Sequence, residues 1–184
     1  MREIEIKAHV TDGATIRVAL ARQGVVLSQP VTQHDVVWGA PGVDGGNDNT
    51  SPWLRIRSEK KGEDERHIFT LKRSVTNQLD SIEHETGIDD PEQMVNIINE
   101  LGYVLYSDLT KTRQKAQIGD IEICLDTVEG LGDFIEAEKL VADDAEYQPV
   151  IDELWALFDE IGVSRDKEVT DGYDVLMNKR LGKE

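Results

Sequence analysis

The sequence predicts an α+β fold in which an antiparallel β-sheet closes into a barrel and helices pack on its outside. Several segments alternate apolar and charged residues, which is the pattern of strands with one buried face. These segments follow one another without the regular strand–helix alternation of a parallel sheet. Their charged faces carry both signs, which favours a polar interior enclosed by the sheet. With 184 residues, the chain is expected to form one domain spanning residues 1–184.

The opening segment, residues 1–8, shows the alternation most clearly. As a strand it places Glu3, Glu5 and Lys7 on one face and Ile4 and Ile6 on the other. The charged face therefore combines two carboxylates with one ammonium group at fixed spacing.

The remaining elements follow from the same periodicities and from turn-forming residues. A helix is predicted over 14–23, with a cap at 11–13 and an end at Gly24, followed by extended chain over 25–38. Residues 39–52 are rich in Gly, Asn and Pro and predict a mobile loop beside the site. Further strands are predicted over 53–59, 66–75, 77–87, 103–117, 121–128 and 133–141. Further helices are predicted over 92–101, 147–161 and 171–181.

The same-face charges form two groups that could meet inside a closed sheet. The cations are Lys7, Arg55, Arg57, Lys72, Lys111 and Arg113. The anions are Glu3, Glu5, Glu83, Glu85, Asp126, Glu136 and Glu138. The alternative is that these are the solvated outer faces of an ordinary antiparallel sheet. Against it, an otherwise acidic chain concentrates much of its Arg and Lys in these strands.

A barrel with this interior is suited to a metal-bound triphosphate. The planar fork of Arg bonds two phosphate oxygens at once. Carboxylates bind Mg²⁺ or Mn²⁺, and such an ion can bridge to phosphate oxygens.

The motifs along the chain resemble those of the CYTH superfamily, which unites class IV adenylyl cyclases and thiamine triphosphatases. Glu3-x-Glu5-x-Lys7 is similar to the family's N-terminal signature. The later elements follow in the expected order: Leu54-Arg55-Ile56-Arg57, Thr70-Leu71-Lys72, Glu83-His84-Glu85, Lys111-Thr112-Arg113, Leu125-Asp126 and Leu131-Gly132-x-Phe134-Ile135-Glu136-Ala137-Glu138. The resemblance covers nearly the whole chain, and its length and C-terminal helices look most like the class IV cyclase branch.

The resemblance implies an eight-stranded triphosphate tunnel and assigns roles by position. Phosphate would be bound by Arg55, Arg57, Lys72, Lys111 and Arg113. Mg²⁺ or Mn²⁺ would be bound by Glu3, Glu5, Asp126, Glu136 and Glu138. Lys7 would contact phosphate or position a nucleophile, so Lys7, Lys111 and Arg113 are the catalytic candidates. Glu83 and Glu85 would either bind metal or hold the arginines.

Three functions fit this expectation. A cyclase would convert ATP to cyclic AMP and pyrophosphate, and is slightly favoured. A triphosphatase would hydrolyse tripolyphosphate or thiamine triphosphate, and a third option is a non-catalytic nucleotide or polyphosphate binder. Residues 33–38 lack the aromatic pair often found there in the family, so the group attached to the triphosphate stays open.

Composition limits the partners and the location. The formal net charge of −17 opposes binding to nucleic acid or anionic membrane. The chain has no apolar run of roughly 20 residues, its charged opening segment predicts no secretory signal, and its single cysteine is Cys124. We therefore expect a cytoplasmic protein with small-molecule ligands, for which a homodimer is one possible assembly. The acidity suggests adaptation to high salt, with an acidic protein from an ordinary environment as the alternative.

Overall fold

The computed structural model describes residues 2–42 and 51–183, and within them eight antiparallel strands form one closed barrel. In chain order the strands are β1 (Arg2–Val10), β2 (Val31–Gly39), β3 (Trp53–Lys61), β4 (Asp64–Asn77), β5 (Asp80–Ile88), β6 (Val104–Ile118), β7 (Ile121–Val128) and β8 (Gly132–Val141). Around the barrel they run β1-β5-β4-β3-β2-β6-β7-β8, and β8 pairs with β1 to close it. The predicted fold class is confirmed.

Four α-helices complete the described fold: α1 (Gly13–Arg22), α2 (Pro91–Glu100), α3 (Tyr147–Glu160) and α4 (Tyr173–Leu181). The Asp12 side chain caps α1 by accepting from the Ala14 N–H at 2.9 Å, and Asp90 caps α2 in the same way. A short 3₁₀-helix, Arg165–Lys167, precedes α4. Among the described residues, no helix combines the length and apolar character needed to cross a membrane.

The helices cover the apolar outer faces of the strands, which leaves the charged faces directed into the barrel. Ile4 and Ile6 of β1 lie in the main core, each at most 2% exposed, and this core includes α1 and α3. Ile98 of α2 belongs to a second cluster with Leu54 and Ile56 of β3. A barrel wall that is apolar outside and charged inside therefore follows from the period-two alternation.

Two strands were predicted to start too early, and one predicted loop extends outside the described residues. A strand was predicted from 77, but β5 begins at Asp80. β2 begins at Val31, and residues 25–30 carry no regular structure although extended chain was predicted from 25. Pro30 has no N–H to donate, which explains why the hydrogen-bonded ladder begins only after it. The predicted loop over 39–52 lies partly outside the described residues, which omit 43–50.

Candidate active site

The inward side chains line one cavity of about 180 Å³ within the barrel. All but one of the predicted site residues line it: Glu3, Glu5, Lys7, Arg55, Arg57, Lys72, Glu83, Glu85, Lys111, Arg113, Glu136 and Glu138. The exception is Asp126, which is completely buried behind two of the cations.

Strand register places opposite charges across from each other. Lys7 of β1 pairs with Glu136 of β8, and Lys72 of β4 pairs with Glu83 of β5. Directly opposed residues on one face of an antiparallel pair are neighbours. The motifs read along separate strands are thus brought into contact by pairing between strands.

Two basic side chains on β3 and β4 each have a close carboxylate partner. The Arg57 guanidinium donates two hydrogen bonds to Asp35, at 2.7 and 2.8 Å. The Lys72 ammonium lies 2.5 Å from Glu83 Oε1. Burial alone would raise the pKa of Glu83, but the charges of Lys72 and Arg55 outweigh it and lower this pKa to about 2. Both carboxylates therefore stay ionised and hold the cations in place.

A second group of ion pairs joins β6, β7 and β8. Arg113 donates to Asp126 at 2.8 and 2.5 Å and also contacts Glu136, while Lys111 reaches Asp126 at 3.3 Å. Burial opposes ionisation of Glu136, but Arg113 and Lys7 hold the pKa of Glu136 well below its usual range. In this arrangement both oxygens of Asp126 are occupied by cations, and its assignment as a metal ligand stays a prediction.

Three other carboxylates of the cavity are poorly neutralised. Oxygens of Glu3, Glu5 and Glu138 all lie within 4.8 Å of one another. Glu3 is 3.9 Å from Lys72 and Glu5 is 3.4 Å from Lys7, while Glu138 has no ion pair among the described residues. Burial raises the pKa of Glu3, and burial together with the charge of Glu136 raises that of Glu5 to about 7. Burial and the charge of Glu3 raise the pKa of Glu138 well above its usual value.

This cluster fits a divalent cation. Mg²⁺ and Mn²⁺ prefer carboxylate oxygens. A bound cation would remove the repulsion between these three carboxylates, which favours their protonated forms. Glu5 Oε1 is buried and has no hydrogen-bond partner in the described structure. Glu3, Glu5 and Glu138, all predicted from the sequence as metal ligands, could therefore hold the ion.

The basic side of the cavity also contains an unsatisfied group. Arg55 Nε is buried without a hydrogen-bond partner among the described residues, although Nη2 of the same side chain contacts Glu85 at 3.2 Å. A buried donor of this kind is rare in folded proteins, and a phosphate oxygen would satisfy it.

Sequence reasoning missed several residues that line the cavity. Asp35 lies on the inward face of β2 and lines the cavity, but alternation along a strand gives no reason to assign it a role. Gly172, Tyr173 and Asp174 come from the C-terminal region and also line the cavity. No strand periodicity could have identified these three, because they do not belong to the barrel wall.

Cys124 lies on the inward face of β7 and is completely buried as a free thiol. Burial raises the pKa of Cys124 well above its usual value, so the group is a thiol and not a thiolate. This environment suits a residue that fills space and does not act as a nucleophile.

Comparison with known proteins places the barrel in a family. The sequence model of the CYTH domain matches residues 1–173. The chain belongs to the CYTH family. This membership covers every strand and the first residue of α4.

Individual relatives support the same family assignment. The Methanocaldococcus jannaschii protein named “Putative adenylate cyclase MJ0240” is 30% identical over 175 residues, which cover 94% of this chain and 97% of the relative. The PH1819 protein of Pyrococcus horikoshii has a structure similar to this CYTH chain, with a TM-score of 0.84 and 25% identity over 97% of this chain and 99% of that one.

A Hippeastrum protein shares the fold at lower similarity. Its structure matches with a TM-score of 0.63 and 18% identity, over 98% of this chain and 95% of that one. It is described as a putative adenylyl cyclase, HpAC1, with a dominant triphosphatase activity.

Proposed function

We propose that this CYTH protein is a metal-dependent enzyme acting on the phosphate chain of a triphosphate, with conversion of ATP to cyclic AMP and pyrophosphate as its reaction. The observation that carries the proposal is the pair of unsatisfied atoms facing one cavity. Glu5 Oε1 has no hydrogen-bond donor and only a 3.4 Å ion pair with Lys7, and Arg55 Nε lacks an acceptor. A metal-bound polyphosphate supplies both partners at once.

The basic residues bind and orient the phosphate chain in this proposal. Arg55, Arg57 and Lys72 lie on adjacent strands, and Lys111 and Arg113 face them from β6. Their charges stabilise the negative charge that develops as a phosphorus–oxygen bond breaks. The acidic partners Asp35 and Glu83 keep Arg57 and Lys72 in fixed positions, which reduces the reorganisation needed during reaction.

Mg²⁺ or Mn²⁺ held by Glu3, Glu5 and Glu138 would polarise the phosphate and neutralise its charge. In the cyclase reaction the ribose 3′-oxygen forms a bond to the α-phosphorus, the bond to the bridging oxygen breaks, and pyrophosphate leaves. In this proposal the ionised Glu136 carboxylate, 3.5 Å from Lys7, accepts the proton of the 3′-hydroxyl as the new bond forms.

A triphosphatase reaction is the second candidate. The lining of the cavity is mostly charged, so an unsubstituted tripolyphosphate would satisfy much of it. The reaction named for the Hippeastrum protein of the same fold also favours this candidate. Water would then replace the ribose hydroxyl as nucleophile and attack the terminal phosphorus.

Product analysis tests the proposal and separates its two reactions. The protein is incubated with ATP, tripolyphosphate or thiamine triphosphate in the presence of Mg²⁺ or Mn²⁺. Cyclic AMP with pyrophosphate from ATP supports the cyclase. Orthophosphate without cyclic AMP supports the triphosphatase, and it is then released together with ADP from ATP, with pyrophosphate from tripolyphosphate or with thiamine diphosphate from thiamine triphosphate. Tight binding without any product would instead indicate a non-catalytic binder.

A single substitution tests the site assignment. Glu136→Ala removes the carboxylate between Lys7 and Arg113. We expect turnover to fall at least about 100-fold while circular dichroism shows a folded protein. Glu92→Ala, at an exposed position of α2, is the control. Full activity of Glu136→Ala would contradict the assignment of Glu136 to the active site.

A further inference from the structure

Tyr173, the first residue of α4, places an aromatic ring against the interior of the barrel. The residue is only 8% exposed and lines the cavity. Its ring packs edge-on against Phe134 of β8 at 5.0 Å between centroids, in a cluster that includes Leu109 and Val128. The side chain thus belongs to the tunnel even though its helix lies outside the barrel wall.

The chain before α4 is fixed across this end of the barrel. The Val169 N–H donates to the Lys7 carbonyl at 2.8 Å, and the Gly172 N–H donates to the Gln78 side chain at 2.9 Å. The Lys7 ammonium in turn donates to the Asp171 carbonyl at 3.3 Å. These contacts hold Tyr173 in a defined position.

Two ammonium groups lie against the Tyr173 ring. Lys7 Nζ is 4.4 Å from the ring centroid and Lys111 Nζ is 4.8 Å from it, both within the range of cation–π attraction. The ring therefore helps to keep both lysines beside one region of the cavity. Negative charge bound in that region would meet two cations at once.

The Tyr173 hydroxyl has no hydrogen-bond partner in the described structure, although it is buried. The nearest candidate acceptor is the Glu136 carboxylate, whose low pKa includes a hydrogen-bonding contribution from Tyr173, but that carboxylate does not meet hydrogen-bond geometry with the hydroxyl. Burial and the charges of Glu136 and Asp126 raise the pKa of Tyr173 well above its usual value, so the phenol keeps its proton. A buried donor without an acceptor destabilises the protein unless a ligand satisfies it.

We propose that Tyr173 is a substrate-contacting residue whose hydroxyl donates a hydrogen bond to an oxygen of the bound phosphate chain, beside Lys7 and Lys111. This inference rests on the proposed function, since it requires a polyphosphate in the cavity. The inference gives α4, which lies outside the barrel wall, a direct role in ligand binding beside the charged side chains of the strands.

Tyr173→Phe is the decisive substitution because it keeps the ring and both cation–π contacts and removes only the hydroxyl. Binding of inorganic tripolyphosphate is measured by isothermal titration calorimetry, and thermal unfolding is measured with and without it. We expect the affinity to fall about tenfold, as for loss of a hydrogen bond to a charged group. The ligand-free protein should unfold at the same temperature or a higher one, because an unsatisfied polar group has been removed.

Tyr103→Phe provides the matched control, since Tyr103 packs with the α2 cluster and does not line the cavity. It should bind tripolyphosphate like the wild type. Wild-type affinity in Tyr173→Phe would overturn the inference while leaving the proposed function standing. A lower unfolding temperature combined with wild-type affinity would also overturn it, because Tyr173 would then be purely structural. Failure of the wild type itself to bind any triphosphate would overturn the proposed function, and this inference with it.

Discussion

Glu5 and Glu136 are buried carboxylates of the same cavity, yet their surroundings push their pKa values in opposite directions. Glu136 contacts Arg113 and Lys7, and these charges outweigh the effect of burial. Glu5 has only a 3.4 Å pair with Lys7, so burial and the charge of Glu136 raise its pKa to about 7. Glu136 already contacts two cations, and its assignment as a metal ligand stays a prediction, whereas Glu5 has one weaker cation partner and more negative charge left for a metal ion.

This difference predicts a pH-dependent metal affinity. A divalent cation and a proton compete for Glu5, so affinity should be low below pH 7 and rise as pH increases through it. We expect Mn²⁺ to bind at least about tenfold more tightly at pH 8 than at pH 6, with proton release, as measured by calorimetry in buffers of different ionisation enthalpy.

Two variants make the pH prediction specific. Glu5→Gln should weaken Mn²⁺ binding and flatten its dependence on pH near 7. Glu100→Gln, at an exposed position of α2, should behave like the wild type. An unchanged pH profile in Glu5→Gln would argue against Glu5 as a ligand.

Sequence periodicity could predict which side chains face inward, but it could not predict their pairing. The inward faces of β1, β3 and β8 follow from alternation alone, and the cavity contains the predicted charges on them. Pairing depends on register between strands that can lie far apart in sequence, as for Lys7 with Glu136. Arg113 and Asp126 face each other across the hairpin of β6 and β7, but alternation alone does not show that cations contact both oxygens of Asp126.

At the scale of elements, α4 has only a weak apolar periodicity, and contacts with residues far away in the sequence fix its position. The sequence predicted a short helix over 171–181, and the structure has Tyr173–Leu181. Part of its contact with the barrel was not predictable, because it depends on Asn178, whose buried side chain donates to the Tyr106 carbonyl at 2.9 Å. A polar residue gives no signal in an apolar periodicity.

The Asn178 contact leads to a prediction about local stability. Asn178→Ala removes the donor to β6 and should lower the free energy of unfolding by about 1–2 kcal/mol. Hydrogen exchange of the α4 amides should become faster than that of the barrel strands. Arg180→Ala, at an exposed position of the same helix, should change the unfolding free energy by less than about 0.5 kcal/mol. Equal effects of the two substitutions would contradict an anchoring role for Asn178.

At the scale of the whole molecule, most of the net charge of −17 lies outside the tunnel. The cavity lining carries nearly as many bases as acids, so the excess of acids resides largely elsewhere. Repulsion among exposed carboxylates destabilises a folded chain and is screened by salt, whereas buried pairs are screened much less. The exterior acids that dominate the composition therefore affect the stability of the fold more than the chemistry of the cavity.

The acidic exterior should make the stability of the fold depend on salt. The unfolding temperature should rise as KCl increases from about 0.05 M to about 1 M, because screening relieves exterior repulsion. A variant with Glu63→Lys and Asp144→Lys, both at exposed positions, changes the net charge by two units at each site, from −17 to −13. Its unfolding temperature should be higher at low salt and should respond less to KCl. Sucrose at matched osmolality controls for effects that do not depend on charge. If the wild type unfolds at the same temperature throughout this range, the acidic exterior is not a salt-dependent determinant of stability, and adaptation to high salt is the wrong interpretation of the composition.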